Sequence, residues 1–150
     1  MVALRCYSGV SFGGRHDDAW RAALPPEFNG EVDAELELLQ LHRTLEDKRY
    51  FKALHGRCTG LIEVRIQFEL ELDDPRSQNE STRPRKGRRR RERPKINIRI
   101  LGFGTAADFV LLYGFRKRGE RDYGSACHAA LNRKAGVERD GRRARPCRFP

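Results

Sequence analysis

The stretch Leu61-Ile62-Glu63-Val64-Arg65-Ile66-Gln67-Phe68-Glu69-Leu70-Glu71-Leu72 decides the reading of this chain. Ile62, Val64, Ile66, Phe68, Leu70 and Leu72 alternate with Glu63, Arg65, Gln67, Glu69 and Glu71. Successive side chains of a β-strand point to opposite faces, so alternation of this length predicts a strand over 61–72 with one buried and one polar face.

Downstream, residues 73–94 are rich in Pro, Ser, Asn and basic side chains and read as a long loop, unusual inside a compact domain. Ile96, Ile98 and Ile100 then alternate with Asn97 and Arg99, which predicts a second strand broken by Gly102 and Gly104. Phe109 to Phe115 is almost continuously apolar, as in a central strand. Segments 95–103 and 108–117 should form an antiparallel hairpin, and Tyr123–Ala135 a final helix that Gly136 ends.

Upstream, residues 2–10 allow a short strand, and Asp17 opens a helix in which Trp20, Ala23 and Leu24 share a face until Pro25 and Pro26 stop it. Asn29 is an N-cap for a second helix with two apolar stripes, Ala34, Leu38, Leu41, Leu45 and Val32, Leu36, Leu39, which predict packing on two sides. The order implies an α+β fold, an antiparallel sheet with two N-terminal helices on one face and a C-terminal helix. Residues 1–137 form the expected domain, interrupted by a basic insertion at 73–94, and 138–150 a flexible basic tail.

Charge is distributed unevenly. Residues 1–80 hold 10 Lys or Arg against 15 Asp or Glu, residues 81–115 hold 10 against 2, and residues 116–150 hold 11 against 4. A positive field confined to the second half points to a polyanionic partner. Arg83 to Lys95 alone carries nine basic residues, and Arg88, Arg89, Arg90 and Arg91 either grip RNA by counterion release or belong to a charged insertion with no role in the chemistry.

No run approaches the ~20 apolar residues of a membrane helix, and residues 1–14 do not resemble a signal peptide, so the expected location is cytoplasmic, with no membrane partner. Cys6, Cys58, Cys127 and Cys147 fit no zinc spacing and are expected to be free thiols in a reducing compartment. Leu101-Gly102-Phe103-Gly104-Thr105 lacks a nucleotide-binding fingerprint, and neither a metal nor a cofactor is expected.

Arg65, Arg99 and Lys117 are borne by three strands. If these strands are neighbours, the cations meet on one surface, where they suit phosphate and the charge that builds when a phosphodiester is attacked. The alternative is ordinary strand arginines paired with Glu63, Glu69 or Glu71. Arg116 and Arg118 flank Lys117 as further RNA contacts. Tyr123 is an acid-base candidate only if nearby cations lower its pKa from ~10. His55, just before the long strand, is able to swing toward the sheet, whereas His16, His42 and His128 read as peripheral.

Four segments together carry a resemblance. Lys52-Ala53-Leu54-His55-Gly56-Arg57-Cys58-Thr59-Gly60-Leu61-Ile62-Glu63-Val64-Arg65 is similar to "K-x-L … G-L-x-E-L-R". Arg99 on its isoleucine strand, Val110-Leu111-Leu112-Tyr113-Gly114-Phe115-Arg116-Lys117, and Ala130 with Arg133 follow in matching order. Together they resemble the HigB-like branch of the RelE/ParE toxin superfamily over roughly 17–135. That resemblance implies a microbial-ribonuclease-like fold and a toxin of a type II toxin-antitoxin system. It implies an endoribonuclease that cuts mRNA on the ribosome without metal, by attack of the 2′-hydroxyl on the adjacent phosphate, held in check by a helix-turn-helix antitoxin. It further implies catalytic roles for Arg99, Lys117 and Tyr123 and a supporting phosphate contact at Arg65. The long 73–94 connection and Ala126-Cys127 in the closing helix depart from the family pattern. Two rival functions share the same fold, a non-catalytic RNA or ribosome binder and a ParE-like gyrase inhibitor.

Overall fold

A computed structural model describes residues 3–7, 26–42, 49–69, 95–104 and 108–147. Six strands, β1 (Ala3–Tyr7), β2 (Phe51–Ala53), β3 (Ile62–Glu69), β4 (Lys95–Gly104), β5 (Asp108–Lys117) and β6 (Ala144–Pro146), form one sheet in the order β2-β3-β4-β5-β1-β6. Two helices, α1 (Pro26–His42) and α2 (Asp122–Arg139), complete an α+β fold. The sheet is mixed, because β1 runs parallel to β5, while the other neighbours are antiparallel. The helix expected over 17–24, the insertion at 73–94 and Arg88 to Arg91 lie outside the described residues.

Alternation builds the core as two layers. Val64 and Ile66 of β3, with Ile96, Ile98 and Ile100 of β4, pack under α1 against Phe28, Val32, Leu36 and Leu39. On the other face Leu61, Leu101, Val110, Leu112 and Phe115 pack against Ala126, Ala130 and Val137 of α2. The two helices therefore cover opposite faces of the sheet. Of the two expected stripes, Val32, Leu36 and Leu39 face the core, whereas Ala34 is exposed and Leu38 is 45% exposed. The helix starts at Pro26 and not after Asn29, since a proline ring presets the first helical φ and the missing N–H has no partner there in any case.

β4 does not stop at Gly102. There the ladder shifts register, Leu101 pairing with Tyr113 and Gly102 with Leu111, so Leu112 is an extra residue on β5. A Cβ at Gly102 would collide with the Val110 carbonyl oxygen and lie 2.7 Å from the Phe109 ring, so the bulge needs glycine opposite it. The bulge also sets which side chains share a face. Phe109 and Leu111 face α1, whereas Tyr113 and Phe115 face α2.

Two expectations about the C-terminal segment are corrected. Gly136 does not end α2, which runs to Arg139; it lies buried beneath the Arg143 side chain. Residues 138–147 are not a loose tail, because a 3-10 turn at Gly141–Arg143 leads into β6, which pairs with β1. The cysteines are not free thiols. Cys6 bonds Cys147 with Cα atoms 5.0 Å apart, and Cys58 bonds Cys127 at 5.3 Å. Distant segments bring each pair together, which no local spacing signals, and such bonds persist in oxidising surroundings, so the cysteines no longer argue for a reducing compartment. Among the described residues no helix is long and apolar enough to cross a membrane.

Candidate functional site

The polar face of β3 meets the start of α2 over a cleft of about 380 Å³. Its wall carries Lys52, Arg57, Arg65 and Lys117, two carboxylates, Glu63 and Glu120, and also His55 and Tyr123. Lys52 comes from β2, which pairs antiparallel to β3. Between these strands the chain turns tightly, with Leu54 N–H donating to the Leu61 carbonyl at 2.9 Å and with Gly56 and Gly60 at φ 65° and 92°. Glycine adopts those angles without steric cost. This turn presents His55 and Arg57 at the rim, and the Cys58–Cys127 bond ties it to α2.

Strand pairing gathers the cations. Arg65 stands opposite Arg99, Arg99 opposite Phe115, and Asn97 opposite Lys117, so Arg65, Arg99 and Lys117 share the α2-side face. Beside Arg65 and Arg99 on that face is Glu63, 1% exposed. Arg65 Nε donates to its Oε1 at 2.8 Å, and Tyr123 Oη donates to its Oε2 at 2.5 Å. Arg99 Nε lies 3.8 Å from the same Oε1 without a hydrogen bond, while Arg99 Nη1 donates to the Ile98 carbonyl at 3.1 Å. A carboxylate this deeply buried is tolerable only with such partners.

Tyr123 does not meet the condition set for an acid-base role. Burial, then its hydrogen bond to Glu63 and the charge of that carboxylate, push its pKa up to about 12, against a smaller opposing effect of Arg99. It is a neutral hydroxyl donor at ordinary pH. Its ring packs edge-on against Phe115 at 5.4 Å and lies 5.2 Å from Lys117 Nζ, which also pairs with Glu120 at 3.2 Å. Asp122 holds the turn before α2, accepting from the backbone N–H groups of Arg118 (2.7 Å) and Gly119 (3.1 Å), which lower its pKa.

Arg65, Lys117 and Tyr123 therefore line the cleft, and Arg99 lies behind Glu63 with its side chain 11% exposed. Arg116 pairs with Ile98 and shares its α1-side face, so it stands apart from the cleft. The exposed Arg118 lies beyond β5 and is not among the lining residues. Glu63 is the residue that sequence reasoning placed only as a pairing partner, and its complete burial had no local signal. Lys52 and Arg57 stood in the quoted motif without being singled out. No group of three or more His, Cys, Asp or Glu side chains among the described residues is arranged to hold a metal ion. No protein family, curated protein or solved structure matches this chain.

Proposed function

We propose that the cleft binds the RNA backbone and that the chain is an endoribonuclease of the toxin type, cutting mRNA at the ribosome and neutralised by a helix-turn-helix antitoxin. The observation that carries this reading is the gathering of Arg65, Arg99 and Lys117 on one face, beside a cleft that also holds Lys52, Arg57, His55 and Tyr123. Four cations against two carboxylates leave the wall positive, as a phosphodiester requires.

In this reaction the 2′-oxygen bonds to phosphorus as the bond from phosphorus to the 5′-oxygen breaks. One proton leaves the 2′-hydroxyl and one reaches the departing oxygen. Arg65 and Lys117 hold the phosphate and offset its growing negative charge. His55, on the rim, supplies an imidazole, a group able to accept one proton and return another. Glu63 is a positioning residue, since both of its oxygens are engaged and it is out of reach of solvent. Tyr123 stays protonated and fixes Glu63 from the α2 side.

The enclosure of Arg99 and the raised pKa of Tyr123 favour a second reading, an RNA or ribosome binder without cleavage. The test is incubation of the oxidised protein with translating ribosomes and, separately, with free mRNA, with ends mapped by primer extension. Cleavage lost in His55→Ala and in Lys117→Ala supports the nuclease. Ribosome association without new ends supports the binder, and inhibited supercoiling with intact mRNA would replace both with a gyrase inhibitor.

A further inference from the structure

A second cationic region lies at the far end of α2. Arg139, Arg142 and Arg143 are exposed, and the Arg142 side chain is 95% exposed. Among the described residues only Arg142 of these three meets a carboxylate, Asp140 at 3.9 Å. Attraction to the helix dipole accounts for a cation in the last turn, such as Arg139, but it fades beyond that turn and does not explain Arg142 or Arg143.

The turn that carries them is clamped. Arg5 donates to the carbonyls of Gly141 (3.1 Å) and Ala144 (2.5 Å), and Asp140 accepts from Arg142 N–H at 3.1 Å. The Cys6–Cys147 bond closes the segment behind it, and Gly136 leaves room for the Arg143 side chain, beside Tyr7. A clamped turn differs from a loose solvated tail, because the backbone that carries the arginines is already fixed before any partner arrives.

One ridge of α2 joins this turn to the cleft. Arg121, Ser125, His128, Asn132, Ala135 and Arg139 follow at helical spacing, are all exposed, and include no acid. Arg121 directly follows the cleft residue Glu120. Asn132 and His128 share a 3.3 Å hydrogen bond along the ridge. At the α-helical rise, Arg121 and Arg139 are about 27 Å apart. That equals about eight phosphates of stacked single strand at ~3.4 Å each.

We infer that the outer ridge of α2 is a track for single-stranded RNA, leading from the cleft to the clamped arginine turn, so that long RNA touches both ends and short RNA only the cleft. The inference takes its partner class from the proposed RNA function but uses residues outside the cleft.

The test measures fluorescence anisotropy of the full, oxidised chain with labelled oligouridines of 4 and 16 nucleotides, over a salt series. Arg139→Gln/Arg142→Gln should weaken 16-mer binding by about tenfold. The salt slope should fall by about 1.4, from two lost phosphate contacts at ~0.7 each. The 4-mer should bind as before. Lys117→Ala, in contrast, should weaken both. The track is overturned if 16-mer affinity and slope stay unchanged, or if the 4-mer weakens equally. It is also overturned if only binding to phosphatidylserine vesicles responds, which would make the turn a membrane contact. If the wild type neither binds nor cuts the 4-mer while the 16-mer still depends on Arg139 and Arg142, the cleft reading fails and the track stands.

Discussion

Each face of β3 buries side chains, but different forces hold them. Val64 and Ile66 lie under α1 at 0% and 3% exposure among aliphatic neighbours, whereas Glu63, at 1%, collects Arg65, Tyr123 and Arg99 on the α2 side. The α1 face is stabilised by removing apolar surface from water, and contacts there are interchangeable to first order. On the α2 face each group depends on the others, because removing one leaves a charge without its partner. That second arrangement is the one found beside the cleft, and it makes the site the sensitive half of the molecule.

The comparison breaks first at Glu63. Glu63→Ala should cost about 4 kcal/mol in urea unfolding, as it strands Arg99 in the interior. Replacing Glu63 and Arg99 together with Met should cost less than Glu63→Ala alone; an additive result would mean that the two do not interact. Next comes the covalent tie of the α2 side. Cys58→Ser/Cys127→Ser should lower stability by about 3 kcal/mol and speed hydrogen exchange in α2 more than in α1. Equal acceleration in both helices would show that the bond acts on the whole fold.

A smaller effect is expected at the bulge. Gly102→Ala should cost about 2 kcal/mol by overpacking against Val110 and Phe109, and should weaken 4-mer RNA binding because Lys117 loses its place. As the α1-face reference, Ile66→Val should cost only about 1 kcal/mol and leave RNA binding unchanged.

The finest distinction is in pH. The folded Tyr123 phenol keeps its proton to about 12, while the unfolded one releases it near 10. Its contribution to stability is therefore complete below pH 10 and disappears as pH rises from 10 to 12. Over that window the wild type should lose stability more steeply than Tyr123→Phe, as measured by urea unfolding at each pH. Parallel curves would remove Tyr123 from the Glu63 cluster.

Much of the architecture was legible because it rests on periodicity. The alternation through Ile62, Val64, Ile66 and Phe68 and the isoleucines of β4 reports burial directly, and the antiparallel pair 95–103 and 108–117 followed from it. β2 and β6, three residues each, are too short to show a period, and they exist because β3 and β1 offer them open edges. In the candidate site, Arg65, Lys117 and Tyr123 were readable as cations and a phenol on or after strands. Their shared dependence on Glu63 was not, since a glutamate on the polar side of a strand looks the same in sequence whether water or α2 covers it.

The order of polar and apolar residues alone determined that β3, β4 and β5 would be strands, that the second half would be basic, and that the chain would combine helices with a sheet. Only the tertiary structure decided which cations meet. The extra residue Leu112 reverses side-chain parity along β5, placing Lys117 on the same face as Arg99 and Arg116 on the opposite one. It also decided the pairing of cysteines 141 and 69 residues apart, and the sealing of Glu63 beneath Tyr123. Local patterns record what each residue prefers as its surroundings, whereas proximity between distant residues arises only when the whole chain closes around one sheet.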